Sequence, residues 1–475
     1  MGGRRLAIFL ALAGAVGASQ ARDGQLDLGF GTFGKTFAAV SGSSYVYHGG
    51  AGLAIQADGR LVLAGTRYTL ANNLYDYDIS VIRLNADGSK DANFGSAGET
   101  AIALNRTGSG NGDYGNAVLV QGDGKIVVAG STAGDTTTGE DMVAVRLTAG
   151  GGLDPGFGNG GKAFVPFNLG SAGHLADVAF DLTQDSQGKL LLVGEADCST
   201  ASIACSKLAV VRLNTDGTRD TSFSADGRVV YGYGSGAAAG FKVRELANHK
   251  ILAVGYVQPD PLTDNVDFLL VRFDTDGSLD NGFGSGGAVR FAFDIGGNMQ
   301  DAAGDFVELD DGSLLVAGLA VTNAPYNTDM ALMKFSANGM PYPGFVPATY
   351  PLDFGGDLRD SAMAIRRDSQ GRILLAGMAS TGTYNGNNVQ DFVVVRLTAA
   401  GQPDARFGNG GRVVYTGAQL FGTDMDNSGA TLAIDAQERI VTAGTAAYTA
   451  TDLYKHRFVV IRMRGDTIFE DPLGG

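Results

Sequence analysis

His48, Asp113, Asp177, Ala238, Asp301, Asp360 and Asn427 share one register of this chain: each stands 17 positions before a glycine that closes a recurring phrase. Six of these residues are polar and four are Asp. Gathered at the mouth of a channel, His48, Asp113, Asp177, Asp301, Asp360 and Asn427 would form a ring able to hold a cation, Ca²⁺ or a basic ligand group, because clustered carboxylates focus a negative field and offer hard oxygens. The same Asp side chains could instead accept backbone N–H bonds where a strand begins. Other chemistry is thinly represented. There is no G-x-S-x-G and no H-E-x-x-H, and the four His (48, 174, 249 and 456) fall in different copies of the repeat. The sequence therefore assigns no catalytic residue.

The elements that position these residues repeat with them. The phrase is LVLAG at 61–65, IVVAG at 126–130, LLLVG at 190–194, ILAVG at 251–255, LLVAG at 314–318, ILLAG at 373–377 and IVTAG at 440–444, a period near 63 residues. Each copy opens with a short apolar run and crosses a Gly-rich link. A hairpin such as NAVLVQGDGKIVVAG follows, then a last strand such as MVAVRLT that is apolar on both faces. The Asp-Gly pairs at 58–59, 123–124 and 311–312 predict type I′ hairpin turns. His249 and Glu438 replace the glycine in two copies and mark those turns as degenerate. No copy holds a helical period of useful length. Four short strands per copy, seven times over, predict an all-β fold: one seven-bladed β-propeller of four-stranded blades. The repeats run approximately 26–88, 89–151, 152–217, 218–277, 278–339, 340–401 and 402–473, within one domain of residues 22–475.

These residues also resemble the delta-60 repeat family of bacterial β-propeller proteins. The resemblance is carried by Leu26-Asp27…Phe30-Gly31, by the run Gln121-Gly122-Asp123-Gly124-Lys125-Ile126-Val127-Val128-Ala129-Gly130, and by Asp267-Phe268…Arg272…Gly277. It spans about residues 26–473, and the fifth copy departs most, with Pro341-Tyr342-Pro343 in place of Leu-Asp. It implies a propeller outside the cytoplasm and no particular activity.

Residues 1–21 carry Arg4-Arg5, an apolar run and a Ser-Gln-Ala ending, the pattern of a cleaved signal peptide. The chain is thus expected to be exported, periplasmic or extracellular. In that oxidising setting Cys198 and Cys205 are expected to form a disulfide across one loop. No later run approaches a membrane span. With 35 Lys+Arg against 50 Asp+Glu, a formal charge of −15, nucleic acid is excluded as a partner.

Several repeated motifs have quiet readings. GFGTFG (Gly29, Gly31, Gly34) precedes a strand rather than a helix, so it is no dinucleotide loop. NADGSKD, NTDGTRD and DTDGSLD echo calcium loops but lack their final Glu, and read as turns. Arg83, Arg146, Arg212, Arg272 and Arg396, with Lys334, share one strand register and should pair with repeat carboxylates such as Asp91 and Asp280. Apart from Ca²⁺, no cofactor is expected.

Parity of an up-and-down sheet sends the near-identical turns to one end and the variable loops to the other. The variable end is the candidate functional face. Tyr45, Tyr47, Tyr68, Tyr75, Tyr77, Tyr326, Tyr384, Tyr448 and Tyr454 lie there and would suit a protein or glycan ligand. The expectation is a monomeric, non-catalytic binding scaffold. The alternative is a lyase or hydrolase using channel-mouth carboxylates with a divalent cation.

Overall fold

The computed structural model describes residues 23–465, apart from 43–44, 48–51, 72–73, 107–111, 135–138, 171–175, 200–204, 235, 264, 294–299, 324–326, 353–358, 385–386, 422–426 and 450–451. Residues 1–21, and with them the expected signal peptide, lie outside the described residues. So does His48.

Apolar residues on both faces of the second and third strands of each copy drive the architecture, since such strands are stable only when covered on both sides. Ile126–Ala133 and Glu140–Leu147 show this, with Ile126–Ala129 and Met142–Val145 wholly buried. Among the described residues the strands form six sheets, all with antiparallel pairing. One four-stranded sheet runs Asp113–Val120, Ile126–Ala133, Glu140–Leu147, Lys162–Val165. Four more repeat that order, and their first strands are Asp177–Gln184, Ala237–Glu245, Ala302–Glu308 and Asp360–Arg367. The architecture is a β-propeller of four-stranded sheets.

The sixth sheet joins the chain ends. It has nine strands, ordered Asn427–Ile434, Ile440–Thr449, Asp452–Met463, Tyr45–Val46, Leu61–Ala71, Leu74–Leu84 and Glu99–Ile102, with Lys35–Ala38 on Asp452–Met463 and Gly52–Ile55 on Leu61–Ala71. N-terminal Lys35–Ala38 thus covers the edge of the C-terminal strand, pairing Lys35 with Ile461 and Ala38 with Phe458. This pairing removes an edge that would otherwise invite association. Elsewhere too, sheet and sequence repeat are out of phase. The apolar run that opens each copy, such as Glu99–Ile102, is the outer strand of the preceding sheet.

The hairpin turns differ from the type I′ expectation. Gln121 N–H bonds Lys125 O at 2.8 Å and Gly124 N–H bonds Gln121 O at 2.9 Å, and only Gly124 is left-handed (φ 83°). This is a three-residue loop, a type I turn followed by a left-handed residue, which an Asp-Gly pair serves equally well. The copies without glycine keep the same turn: His249 (φ 64°) and Glu438 (φ 58°) are themselves left-handed. The turns are conformationally intact, with a side chain where glycine is easier.

The recurring phrase owes its terminal glycine to close approach. A Cβ on Gly130 would lie 1.8 Å from Tyr114 O, and the equivalent glycines 194, 255, 318, 377 and 444 face an inner-strand carbonyl at 2.0 Å or less. The inner strand bulges at this level, with Asn116, Phe180, Phe241, Gly304 and Met363 as extra residues. The first strands of the five four-stranded sheets, with Gly52–Ile55 and Asn427–Ile434 of the nine-stranded sheet, surround one central cavity of about 510 Å³.

Neighbouring sheets are tied by the arginine register. Arg83 Nε donates to Asp91 Oδ2 (2.8 Å), its guanidinium lies 4.6 Å above the Phe94 ring, and Nη1 donates to Ala149 O (2.5 Å) in the following sheet. Arg146, Arg212, Arg272 and Arg396 repeat the pairing with Asp154, Asp220, Asp280 and Asp404. In the divergent copy Lys334 Nζ sits 3.7 Å over Tyr342 instead.

Candidate functional site on the variable-loop end

Asp113, Asp177, Asp301 and Asp360 stand where the chain, having crossed from one sheet, enters the inner strand of the next. Each is buried, and each carboxylate binds the crossing link. Asp113 Oδ2 accepts Leu104 N–H (2.6 Å), and its Oδ1 accepts the Thr132 hydroxyl (2.6 Å). Asp177 Oδ2 accepts Phe167 N–H (2.6 Å) and Asn168 N–H (3.3 Å). Asp301 accepts Phe293 N–H (2.8 Å) and Val321 N–H (3.2 Å), and Asp360 accepts Leu352 N–H (2.7 Å). Asn427 donates from Nδ2 to Asp391 Oδ1 (2.6 Å), and that oxygen also accepts Gly417 N–H (2.8 Å), so Asp391 does there what the Asp does elsewhere. Ala238 is buried at the same register.

This register is held at its own links around the ring rather than gathered at one point. Among the described residues, no group of three or more His, Cys, Asp or Glu is arranged to hold a metal ion. The acidic turns are likewise self-satisfied: Asp87 Oδ1 accepts both the N–H and the hydroxyl of Ser89. Burial pushes Asp177 up to about 6 despite its two backbone donors. Cys198 and Cys205 form the expected disulfide, with Cα atoms 5.0 Å apart, between Leu190–Asp197 and Ser206–Leu213 on this end.

The structure brings tyrosines together instead. Leu61–Ala71 and Leu74–Leu84 are 11 residues each, against 8 for Ile126–Ala133 and Glu140–Leu147, so this hairpin extends further at the variable end. It carries Tyr68, Tyr75 and Tyr77. The short strand Tyr45–Val46 pairs with it, setting Tyr45 opposite Tyr68, and Tyr114 joins from the next sheet. The rings form one contiguous cluster: Tyr45–Tyr68 5.8 Å, Tyr68–Tyr75 5.7 Å, Tyr75–Tyr77 6.1 Å, Tyr47–Tyr77 5.3 Å and Tyr77–Tyr114 5.5 Å between centroids. Tyr68 is buried at its base, while Tyr75 (55%) and Tyr47 (42%) present their rings to solvent. Tyr326 lies outside the described residues, Tyr384 lies in a strand of another sheet, and Tyr448 and Tyr454 lie in Ile440–Thr449 and Asp452–Met463 of the same nine-stranded sheet.

Glu140 borders the rings at Tyr114, while Asp76 and Asp78 alternate onto the opposite face of the hairpin, with Arg67. Burial, with Asp76 beside it, pushes Asp78 up, although Arg67 lies 3.7 Å away. Burial likewise pushes Glu140 up, although the Ser131 hydroxyl donates to its carboxylate. Tyr114 is pushed up to about 12 by burial and the nearby Glu140. Rings, hydroxyls and the Glu140 carboxylate side by side offer flat apolar contact together with donors and acceptors. Tyr114 went unnoticed in the sequence because it stands next to Asp113 in a strand, outside any variable loop.

Comparison with known proteins agrees with this architecture. Residues 56–94, 121–157, 187–223, 247–283 and 370–407 match the model of a family described as a domain of unknown function (DUF5122) beta-propeller. These five matches make the chain a β-propeller repeat protein. No curated protein matches it in sequence. Among solved structures it is similar in fold to the polysaccharide lyase Uly1, at 10% identity, with a TM-score of 0.50 and 90% and 92% of the two chains covered. Weaker likenesses include the β-propeller domain of the trilobed protease from Pyrococcus furiosus (12% identity, TM-score 0.41, 90% of this chain and 99% of that one). Another is the α-L-arabinofuranosidase Arb93A from Fusarium graminearum (14% identity, TM-score 0.44, 77% and 98%). No described helix is long and apolar enough to cross a membrane.

Proposed function

We propose that this protein is an exported, non-catalytic β-propeller that binds a glycan through the variable-loop end, and that the tyrosine cluster is its contact surface. The single observation behind this reading is the run of contiguous rings from Tyr45 to Tyr114, exposed at Tyr47 and Tyr75 and bordered at Tyr114 by Glu140. Tyrosine supplies rigid amphipathic contact area at low entropic cost, and a carboxylate beside it can accept sugar hydroxyls. A protein ligand would use the same rings, but the Glu140 carboxylate beside Tyr114 favours a hydroxyl-rich partner. Four further parts belong to the proposal. The nine-stranded sheet is counted as two blades bridged by Tyr45–Val46, which makes seven. The repeats are of the delta-60 type. Residues 1–21 are removed on export, in keeping with the disulfide. The protein acts as a monomer.

The test is affinity electrophoresis of the mature protein in gels containing laminarin, xylan or alginate. Retardation by at least one of them, lost about tenfold or more in Tyr47→Ala/Tyr75→Ala, is expected. Equal retardation of the double variant would remove the cluster from the reading.

The raised acids favour one second reading, an extracytoplasmic lyase or hydrolase. A carboxyl group that keeps its proton toward neutral pH can serve as a general acid. Under that reading the same polysaccharides would yield new reducing ends, and unsaturated ends for a lyase. Its cation would be Ca²⁺, supplied at the variable end, and chelation would abolish the release.

A further inference from the structure

The central cavity carries a charge opposite to that of the chain. Its lining includes Asp181, Lys242, Arg244 and Arg366, and Asp305 stands directly behind the two arginines. Three cations therefore face two carboxylates, inside a protein whose formal charge is −15. Low-dielectric walls strengthen such a local excess.

The carboxylates are already committed. Asp305, wholly buried, accepts Arg244 Nη2 (2.7 Å) and Phe306 N–H (2.8 Å) on one oxygen, and Arg366 Nη1 (2.6 Å) and Ile365 N–H (3.1 Å) on the other. Asp181 accepts Lys242 Nζ (2.9 Å) and Val243 N–H (3.2 Å). Arg366 is not fully used. Nη1 serves Asp305 and Ile365 O, while Nε and Nη2 donate to no group among the described residues. Those two atoms form one edge of the guanidinium fork, the edge that takes a carboxylate through two parallel bonds. The side chains of Arg366 and Arg244 are 32% and 30% exposed, so solvent reaches both.

Around them the bulge residues supply apolar walls. Phe180 and Phe241 meet edge to face at 5.7 Å, and Met363 is 39% exposed within the lining. A volume of about 510 Å³ suits a small organic molecule. Arg244 and Arg366 stand near the C-terminal ends of Ala237–Glu245 and Asp360–Arg367, at the tight-turn end, opposite to the tyrosine cluster.

We propose that the central cavity is a second binding site, for a small organic carboxylate whose acid group takes the free edge of Arg366 and whose apolar body lies beside Phe180, Phe241 and Met363. Arg244 and Lys242 add charge without giving up their own partners. Asp305 acts as a positioning residue, fixing the Arg366 plane with its free edge toward the cavity.

Benzoate and benzyl alcohol test this as a matched pair that differs at the acid group. Ligand-observed NMR titration of the mature protein should give saturable binding of benzoate, and benzyl alcohol should bind at least tenfold more weakly. Arg366→Gln should weaken benzoate at least tenfold, and Arg366→Lys by less, since it keeps the charge but loses the fork. Met363→Trp fills the cavity without touching a charge, so it keeps the test decisive if Arg366→Gln does not fold. It should abolish binding. Tyr47→Ala/Tyr75→Ala should leave benzoate unchanged, which separates this site from the glycan surface. Equal binding of the two probes, no saturation, or benzoate affinity unaltered in both Arg366→Gln and Met363→Trp would overturn the proposal.

Discussion

Arg396 and Asp23, 373 positions apart in sequence, form a buried ion pair with Nη2 2.6 Å from Oδ2. The same guanidinium holds Asp404 and donates to Gly465 O, so residues from both ends of the chain meet on one side chain. Gly24 N–H adds a bond to Arg464 O, and Tyr415 hydroxyl donates to Gly24 O. Closure is thus made by the first described residues together with Lys35–Ala38.

Asp23→Ala should therefore destabilise the whole ring. Removing one partner of a buried pair leaves a charge underserved, typically at a cost of about 3 kcal/mol, here lessened by Asp404. Urea denaturation should show the loss as an earlier midpoint. Deleting residues 23–38 should go further and yield a protease-sensitive, self-associating product, because the edge of Asp452–Met463 is then uncovered. A truncated chain with an unchanged midpoint would show that closure contributes little.

Glycine at the end of the recurring phrase should be intolerant of any side chain. In Gly130→Ala the new Cβ would sit 1.8 Å from Tyr114 O, so the inner strand has to move at its bulge. A loss above about 3 kcal/mol is expected for such backbone displacement. Gly122→Ala, with nothing within 4 Å of its Cβ, should be neutral and serves as the control. Conversely, Glu438→Gly should stabilise by about 1 kcal/mol through relief of a left-handed side chain, reduced slightly by its lost bond to Ser369.

These glycines also show what the sequence made legible. A steric demand shared by Gly130, Gly194, Gly255, Gly318, Gly377 and Gly444 leaves the same residue each time, so the repeat, the four-strand content and the arginine ties could be read directly. Sheet phase could not. The links before and after Lys162–Val165 are both Gly-rich, and which of them crosses between sheets is decided by the pairing of Lys35–Ala38 with the last strand. Turn type stayed ambiguous because Asp-Gly serves both I′ turns and the longer loop seen at 121–125. Tyr114 and Arg366 stayed hidden for a related reason. Neither belongs to the repeated pattern, and only the packing of adjacent sheets brings them beside their partners Tyr77 and Asp305.

Asp177 makes the last prediction, through pH. Its carboxyl titrates near 6 in the folded protein and near 3.8 as a free group, so the folded state holds the proton more tightly. Stability from this group is fully present below pH 4 and is lost as pH rises through 6, because the unfolded chain then releases its proton at no comparable cost. Two units of difference correspond to about 3 kcal/mol. Asn at this position can still accept Phe167 and Asn168 N–H through its carbonyl oxygen, and it carries no charge. The stability of wild type relative to Asp177→Asn should therefore fall by about 2 to 3 kcal/mol between pH 4 and pH 7, with the variant the more stable at pH 7. Chemical denaturation of both proteins at the two pH values measures the difference. A gap that stays constant, or one that narrows in favour of wild type on raising pH, would place the titration of this carboxyl in the ordinary range and its burial penalty elsewhere in the ring.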